Sequence, residues 1–385
     1  MLKSFRQGLT CSLLALSLVA VSFAFPGCNC EDGNTSETKI NIIEALSNSD
    51  TRGYNIADRV IDFNFPKDHG THESFRNEWW YFTGNLYDDE GNRFGYQLTF
   101  FRISLSPLAI TRTSDWGTNQ IYMAHFTVSD IENEKFYCFE KFNRDALGLA
   151  GYQGNPFKIN VEDWYILGTG DGDFPWQLYA SKDGVTISLG VTPLKDIVFE
   201  GDKGLSYKSV DKTSASYYYS ITRLATDGYI EIDGMRYEVS GSSWLDREWS
   251  TSTLSEDQGG WDWFSIQMND NTEIVYFQLR YKDGSVYPYN EGLIVSSDST
   301  TTKLDTGDIV LTVLNTWKST TGVVYPIKWQ AEVVPLGKTL IIEAAFNQQE
   351  LDLSTRYWEG AVNIYDEQNT DEIIGTGYLE MTGYE

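Results

Sequence analysis

Alternating apolar and polar residues dominate the chain from about residue 60 onward, in short runs separated by polar turns. The clearest run is EWWYFTGNL, which begins at Glu78. If this run forms a strand, its two-residue period places Trp79 and Tyr81 on one face and Glu78, Trp80 and Phe82 on the other. Both faces are then largely apolar. Such a strand is either buried on two sides or lines a pocket.

The same pattern predicts a series of antiparallel hairpins. Residues 86–103 form one pair around a turn at 88–92, and further pairs surround turns at 183–184, 233–234 and 269–271. No stretch keeps the 3.6-residue period of a long helix. We therefore predict an all-β chain of antiparallel barrels or sandwiches rather than an α/β fold.

The strands divide into two groups of comparable size near residue 235. A chain of 385 residues is long enough for two domains. A weak internal echo supports the division, because Gly84 follows a Trp-Trp pair in the first half and Gly241 opens a tryptophan-containing string in the second. The predicted domains are residues 59–235 and residues 236–385.

The N-terminal residues are expected to direct export. Residues 1–27 combine a basic start, with Lys3 and Arg6, and an apolar stretch, and this combination predicts a signal peptide. A degenerate lipobox precedes Cys28, which is the candidate lipidation site. The product is either a periplasmic or outer-surface lipoprotein, touching the membrane only through its lipid, or a secreted protein. Residues 28–58 are polar and are predicted to form a flexible tether.

Composition narrows the class of partner. Hydrophobic residues make up 41% of the chain and aromatic residues 15%, which is enough for a sizeable core. The formal charge is 29 − 55 = −26 without a basic stripe, so a nucleic acid is excluded as a partner. Cys138 is the one cysteine of the predicted globular part. The sequence therefore offers neither a disulfide framework nor a zinc pattern.

Several strings of the sequence together resemble the AttH-like/carotenoid 1,2-hydratase family over roughly residues 60–385. The resemblance implies two consecutive antiparallel lipocalin-like (calycin) barrels packed against each other, and an association with a lipophilic small molecule. Members of the family include hydratases of carbon–carbon double bonds and fungal proteins that guide cyclisations. The strings are residues 65–72, 78–86, 94–102, 124–126, 216–220, 241–249, 260–264, 357–360 and 375–384.

Hydration of an alkene requires three kinds of group in one pocket. A strong acid protonates the double bond, aromatic faces stabilise the carbocation, and a base positions water. A carboxylic acid in an apolar pocket has a raised pKa and suits the first role. The candidate catalytic residues lie beside tryptophans in sequence and are Glu78, Asp246, Arg247, Glu248 and Asp262.

Each carboxylate also has a structural interpretation. Glu78 is equally compatible with an internal ion pair to an arginine such as Arg102 or Arg223, because buried carboxylates are usually paired. Residues 246–248 contain their own cation and are at least as compatible with an ion-pair network between the barrels. Asp262 points away from the tryptophans on either side of it in a strand, and is compatible with a plain surface position.

Aromatic residues near these carboxylates are the candidates for binding the ligand, although tryptophans are more often part of a core. His125, within a predicted strand, is either a satisfied core histidine or a polar group at a barrel mouth. The loose spacing of His69 and His72 does not predict a metal site, and no cofactor motif is present. The substrate-binding candidates are Trp80, Tyr81, His125, Trp244, Trp249, Trp263, Tyr276 and Trp358.

One position departs from the hydratase pattern that the resemblance implies. Where that pattern carries a histidine, this chain has Arg247, which is permanently charged and does not shuttle protons at neutral pH. An arginine there is expected to bind a carboxylate or to keep Asp246 and Glu248 ionised. An acidic residue expected on the following strand is also absent, since residues 276–278 read Tyr-Phe-Gln.

Three functions are compatible with these features. The first is an exported enzyme, of hydro-lyase or isomerase type, that acts on a lipophilic unsaturated small molecule. The second is a non-catalytic lipoprotein that binds a lipid or another hydrophobic ligand, with structural carboxylates. The third is an interaction module whose barrels are packed solid. A cavity in which the candidate carboxylates converge favours the enzyme, whereas closed ion pairs favour binding or structural roles.

Overall fold

A computed structural model describes residues 51–108, 113–170, 173–252 and 254–384. These residues form 23 β-strands and two short 3-10 turns, Lys67–His69 and Val334–Leu336, and contain no α-helix. The predicted signal peptide, Cys28 and most of the predicted tether lie outside the described residues. The strands are β1 (Asn77–Asp88), β2 (Arg93–Ser104), β3 (Gln120–Asp130), β4 (Lys135–Arg144), β5 (Ala150–Gly154), β6 (Phe157–Val161), β7 (Trp164–Gly168), β8 (Trp176–Lys182), β9 (Val185–Pro193), β10 (Val198–Phe199), β11 (Leu205–Tyr207), β12 (Ala215–Ile232), β13 (Met235–Ser252), β14 (Gln258–Met268), β15 (Glu273–Tyr281), β16 (Glu291–Val295), β17 (Thr301–Leu304), β18 (Ile309–Lys318), β19 (Val324–Val333), β20 (Lys338–Ala344), β21 (Glu350–Asp352), β22 (Arg356–Asp366) and β23 (Asn369–Thr382).

The strands form two consecutive antiparallel sheets, which confirms the predicted all-β class. The first sheet has the order β4-β3-β2-β1-β13-β12-β9-β8-β7-β6-β5, with β10 and β11 also paired to β12. Its end strands β4 and β5 contact each other, so it curls into a nearly closed barrel. The second sheet has the order β17-β16-β15-β14-β23-β22-β20-β19-β18, with β21 paired to β22.

The predicted hairpins are confirmed. Strands β1 and β2, β8 and β9, β12 and β13, and β14 and β15 pair around the turns that the sequence indicated. Strand β13 begins at the predicted boundary of residue 235, but it belongs to the first sheet and pairs with β1. The chain passes from the first sheet to the second between Ser252 and Gln258.

Alternation along β1 places its side chains in two different environments, as the sequence predicted. Trp80 and Phe82 pack in the core inside the first sheet. Trp79 and Tyr81, on the opposite face, pack with residues of the second sheet such as Trp263. We call this region, where the outer face of the first sheet meets the second sheet, the junction. A separate core fills the interior of the second sheet.

Polar contacts accompany the apolar packing at the junction. The Ser129 hydroxyl donates to Gln349 Oε1 at 2.7 Å, and the Asn85 amide donates to the Gly377 carbonyl at 3.2 Å. The backbones approach closely at Gly95, where a Cβ atom would lie 3.0 Å from the Cβ of Ala361. The two sheets therefore meet in a tight interface at these positions.

The residues before β1 pack against the first sheet. The Tyr54 hydroxyl donates to the Ser104 carbonyl at 2.8 Å, and Ala57 is buried with Phe75 and Trp249. Within the described ranges, no helix is sufficiently long and apolar to cross a membrane.

Candidate functional site

A partly open cavity of about 90 Å³ lies at the junction. Strands β1, β2, β12 and β13 of the first sheet supply one wall, and β14, β15, β22 and β23 of the second supply the other. This volume is smaller than the roughly 300–1,000 Å³ typical of sites for drug-sized ligands, so it accommodates a compact group or one part of a larger molecule. The lining residues are Trp79, Tyr81, Phe101, Lys208, Tyr218, Asp246, Glu248, Leu254, Trp261, Trp263, Phe277, Leu279, Tyr357 and Glu380.

Strand register explains why carboxylates and aromatic rings share this cavity. In the β1–β13 pair, Tyr81 lies opposite Asp246 and Trp79 lies opposite Glu248. Directly opposed residues of an antiparallel pair point to the same face. Because these four face outward from the first barrel, they meet the second sheet at the junction.

Asp246 is buried and accepts three hydrogen bonds. The Tyr218 hydroxyl donates to its Oδ2 at 2.5 Å, and the Ser220 hydroxyl and the Trp244 indole N–H each donate to its Oδ1 at 2.6 Å. Burial raises the pKa of Asp246 to about 7, the three hydrogen bonds oppose that rise, and the charge of Glu248 adds to it. Asp246 therefore titrates near neutral pH while its donors favour the carboxylate.

Glu380 lies on the opposite wall with fewer donors. It pairs across the β14–β23 ladder with Trp263, and the Trp261 indole N–H donates to its Oε1 at 3.2 Å. Burial raises the pKa of Glu380 to about 8, the bond from Trp261 opposes the rise, and the charges of Asp246 and Glu248 add to it. Glu380 is consequently protonated at pH 7.

Lys208 is the one cation that lines the cavity. Its Nζ lies 3.5 Å from Glu248 Oε1 and donates to the Ser206 hydroxyl at 2.9 Å. The same ammonium lies 3.9 Å from the ring centroid of Phe277 and 4.9 Å from that of Tyr218. The lysine ammonium thus makes cation–π contacts with the aromatic rings of the cavity wall.

Further buried carboxyl groups lie close to the cavity. Glu359 accepts a hydrogen bond from the Tyr81 hydroxyl at 2.6 Å and lies opposite Glu380 in the β22–β23 ladder. Burial, together with the charge of Glu380, raises the pKa of Glu359 well above its ordinary value. Burial and the charge of Asp246 do the same for Glu200. Like charges directly opposed across strands are unfavourable, so the Glu359–Glu380 pair disfavours ionisation of both groups together.

Glu78 lies outside the cavity, on the inward face of β1. Its carboxylate pairs with Arg102 Nε and Arg247 Nη2 and accepts the backbone N–H of His72 at 3.0 and 3.1 Å. Burial would raise the pKa of Glu78, but the two guanidinium groups hold it below its ordinary range. The predicted ion pair with Arg102 is present, whereas Arg223 pairs with a different carboxylate. An ionised carboxylate of this kind does not donate a proton.

The Arg247 guanidinium pairs with the carboxylate of Glu78 rather than with those of its neighbours in sequence, although it also donates to the Glu248 backbone carbonyl at 3.0 Å. Adjacent residues of β13 point to opposite faces, so Arg247 is directed into the first barrel while Asp246 and Glu248 face the junction. The predicted ion-pair network within residues 246–248 is therefore wrong, because Arg247 pairs with Glu78 and not with the carboxylate of Asp246 or Glu248.

Trp80 and Trp249 end at the same cluster inside the first barrel. The guanidinium carbon of Arg247 lies 3.9 Å from the ring centroid of Trp80, whose indole N–H donates to the His69 carbonyl at 2.8 Å. The ring of Trp249 stacks on His72 with centroids 3.7 Å apart. Neither tryptophan lines the cavity at the junction.

Three other predicted residues lie inside the second barrel. Asp262 is fully buried, with Arg280 Nε at 3.2 Å and the Tyr384 hydroxyl at 2.8 Å. It points away from its flanking tryptophans as predicted, but the surface position is wrong because the opposite face of β14 packs into a core. Tyr276 and Trp358 belong to that core.

Two predicted residues lie behind the cavity wall. Trp244 contributes through its hydrogen bond to Asp246. The Nδ1 of His125 lies 2.6 Å from the hydroxyl of Tyr357, and its Nε2 lies 3.7 Å from Glu140 Oε2. His125 is thus fully buried and joins the first sheet to the second.

The sequence therefore located part of the cavity. Of the predicted residues, Tyr81, Asp246, Glu248 and Trp263 line it. The sequence does mark Glu380 as unusual, because it is the one charged residue in the otherwise uncharged segment 377–381. No such signal marks Lys208, which follows the short strand β11. The functional candidates that sequence reasoning missed are Trp79, Lys208, Tyr218, Trp261, Tyr357 and Glu380.

A model of the AttH-like family matches residues 57–384 of this sequence. The chain belongs to the AttH-like family. A crystal structure of an AttH from Nitrosomonas europaea is similar to this AttH-like chain, with a TM-score of 0.76 and 29% identity over 86% of this chain and 100% of that one. This similarity and the two antiparallel sheets agree with the predicted pair of lipocalin-like barrels.

Kievitone hydratase from Nectria haematococca has the same fold as this AttH-like chain. The TM-score is 0.62 and the identity 13%, over 86% of this chain and 95% of the hydratase. A search of curated proteins finds no significant match. In the parts of this AttH-like chain that the structure describes, no group of three or more His, Cys, Asp or Glu side chains is arranged to hold a metal ion.

The cavity combines an acid, a hydrogen-bonded carboxylate and aromatic walls. Glu380, with the higher pKa, is the better proton donor at neutral pH. Asp246, whose carboxylate form is stabilised by three hydrogen bonds, is the better proton acceptor. Many acid–base sites contain two carboxyl groups whose different surroundings make one the proton donor and the other the proton acceptor. These residues of the AttH-like chain therefore combine a proton donor and a proton acceptor beside apolar walls.

Proposed function

We propose that this protein catalyses acid-initiated hydration or isomerisation of a lipophilic unsaturated small molecule in the junction cavity. The observation that carries the proposal is the convergence of Asp246, Glu248 and Glu380 from both sheets on one aromatic-lined cavity. Two comparisons support the same reaction class. The chain belongs to the AttH-like family, and its fold is similar to that of kievitone hydratase.

Each side chain has a defined role in the proposed reaction. Glu380 transfers its proton to one alkene carbon, whose new C–H bond takes the π electrons, and the neighbouring carbon becomes a carbocation. The faces of Trp261 and Trp263 and the carboxylate of Glu248 stabilise that charge. Asp246 removes a proton from the attacking water, or from an adjacent C–H bond in isomerisation. One proton returned from Asp246 to Glu380 restores the starting state.

Replacing the proposed acid should abolish turnover without unfolding the protein. Glutamine resembles protonated glutamate in shape and charge, so Glu380→Gln should retain the fold and lose about 100-fold or more of the rate, as expected for loss of a general acid. The measurement is incorporation of ¹⁸O from labelled water, or of deuterium from D₂O, into a panel of styrenes and prenyl-substituted phenols, followed by mass spectrometry.

A matched control is Glu372→Gln, which makes the same chemical change on an exposed part of the same strand. It should turn over the panel at the wild-type rate. Turnover by Glu380→Gln at that rate would refute the assigned acid. No label incorporation by the wild-type protein, with a hydrophobic ligand recovered after solvent extraction, would refute the enzyme and favour a carrier.

The carrier is the second candidate, and the hydrogen bonding of Asp246 favours it. All three of its donors come from its own sheet, which is also what a structural carboxylate requires. In that case Tyr81, Trp261 and Trp263 form a binding wall and the carboxyl groups only order it.

We also propose that the protein is exported and carries a lipid on Cys28. A basic start followed by an apolar stretch and a degenerate lipobox supports both steps. Mass spectrometry of the mature N-terminus should find a lipidated cysteine at residue 28, and an unmodified N-terminus would support plain secretion.

A further inference from the structure

The cavity at the junction has an excess of acidic groups over basic ones. Asp246, Glu248 and Glu380 line it together with one cation, Lys208, and Glu359 lies directly behind Glu380. The whole chain carries a formal charge of −26, which raises the local concentration of cations around the molecule. The overall charge therefore favours a positively charged ligand over an anionic one. Within the cavity, Glu380 is protonated at pH 7 without a ligand and can ionise when a cation enters.

The walls of the cavity are built as cation-binding surfaces usually are. Aromatic rings from both sheets surround the acidic groups, and electron-rich ring faces attract ammonium ions, most strongly when the site is desolvated. Tyr81 and Trp263 pack edge to face with centroids 5.1 Å apart, so the cage is already ordered by its own packing. The aromatic lining residues include Trp79, Tyr81, Tyr218, Trp261, Trp263 and Phe277.

Lys208 shows that this wall accepts a cation. Its ammonium lies 3.9 Å from the Phe277 ring centroid and 3.5 Å from Glu248 Oε1, which is the aromatic-plus-carboxylate environment that an organic cation would meet. Glu248 Oε1 is buried and has no hydrogen-bond partner among the described residues. Its ionic partner, the Lys208 ammonium at 3.5 Å, makes no hydrogen bond to it, so this oxygen can still accept one from a cationic ligand beside the aromatic rings.

We propose that the junction cavity binds the head group of a small quaternary ammonium or protonated amine. The cavity volume of about 90 Å³ suits a compact trimethylammonium group rather than a long chain. The inference rests on the cavity being the ligand site of the proposed function. It explains how that site would tolerate a carbocation, because an ammonium ion and a carbocation place positive charge in the same electrostatic field.

The test compares two probes of the same shape and different charge. Choline carries a permanent positive charge, and 3,3-dimethylbutan-1-ol replaces its nitrogen by carbon. We expect the full-length protein to bind choline about tenfold more tightly than the alcohol, which corresponds to about 1.4 kcal/mol. Isothermal titration calorimetry, with tryptophan fluorescence as a second signal, gives both dissociation constants without requiring turnover.

Two variants give opposite results if the inference is correct. Glu380→Gln should weaken choline binding severalfold and leave the alcohol unchanged, because it removes a group that ionises when a cation is bound. Lys208→Gln should strengthen choline binding, because it removes the competing ammonium. Glu372→Gln, on the exposed part of β23, should bind both probes as the wild type does.

Equal affinity for the two probes, or no measurable binding of choline, would overturn the inference. Weaker choline binding by Lys208→Gln would also overturn it. Since binding is measured directly, choline recognition without ¹⁸O incorporation would refute the enzyme alone, and turnover without choline recognition would refute this inference alone.

Discussion

The carboxylate of Glu78 contacts two guanidinium groups, those of Arg102 and Arg247, and the backbone of His72. All three charged side chains are fully buried. Taking charges out of water is costly, and here the cost is offset by mutual pairing and by carbonyl acceptors such as that of Gly70, 2.5 Å from Arg247 Nη2. The cluster is a structural anchor whose members depend on one another.

Neutralising Glu78 should therefore destabilise the fold. Glu78→Gln leaves Arg102 and Arg247 buried without their carboxylate, and loss of one partner from a buried pair costs about 3–5 kcal/mol. The free energy of unfolding from urea titration measures the effect. Glu372→Gln, an exposed change of the same kind, should alter it little.

An unfolding free energy for Glu78→Gln close to that of the wild type would contradict this assignment. Such a result, combined with loss of turnover, would return Glu78 to the catalytic role that its sequence context suggested. The decisive comparison is stability against activity in the same variant.

Strands were predictable from the sequence, whereas their partners were not. The alternation and the Asp-Gly and Asn-rich turns specify β1, β2, β8, β9 and the hairpins they form, because these signals are local. The β1–β13 pairing joins residues that are more than 150 positions apart, such as Tyr81 and Asp246. No local pattern encodes that register, so the residues that share the cavity could not be selected in advance.

The faces of strands explain which candidates were misplaced. Trp79 and Trp80 are neighbours in sequence, but one lines the cavity and the other lies in the first barrel. The sequence predicts that the two side chains lie on opposite faces of the strand. It does not show which face packs inside the first barrel and which contacts the second sheet. Glu380 and Lys208 were missed for a related reason, since each becomes significant only when the second sheet is laid against the first.

Buried carboxyl groups should give the whole protein an unusual dependence of stability on pH. Burial raises the pKa of Asp246 to about 7 and that of Glu380 to about 8, and also raises those of Glu200 and Glu359. From about pH 4 to pH 7 for Asp246, and to pH 8 for Glu380, the folded state keeps a proton that the unfolded state loses, and Glu200 and Glu359 act in the same direction. The unfolded state then binds fewer protons, so stability falls as pH rises.

We expect a larger free energy of unfolding at pH 5 than at pH 8. Each fully shifted group contributes up to about 1.4 kcal/mol per pH unit within its window. Glu78 acts with the opposite sign, because its lowered pKa removes stability only below about pH 4. Denaturant titrations from pH 4 to pH 9 measure the curve.

Glu380→Gln provides the control for this curve, since glutamine does not titrate. The variant should lose less stability than the wild type between pH 5 and pH 8. Identical slopes for the two proteins would show that Glu380 does not contribute to the decline, which would then come from the other raised carboxyl groups or from repulsion among surface charges.

The cavity walls come from strands before Ser252 and after Gln258. Neither half of the polypeptide forms the cavity alone. Separately produced halves would each expose the face of aromatic residues that packs at the junction. Those faces are complementary, and mixing the halves should favour their reassembly. Recovery of the proposed ligand binding on mixing would then record that the two fragments have met, as in a split reporter.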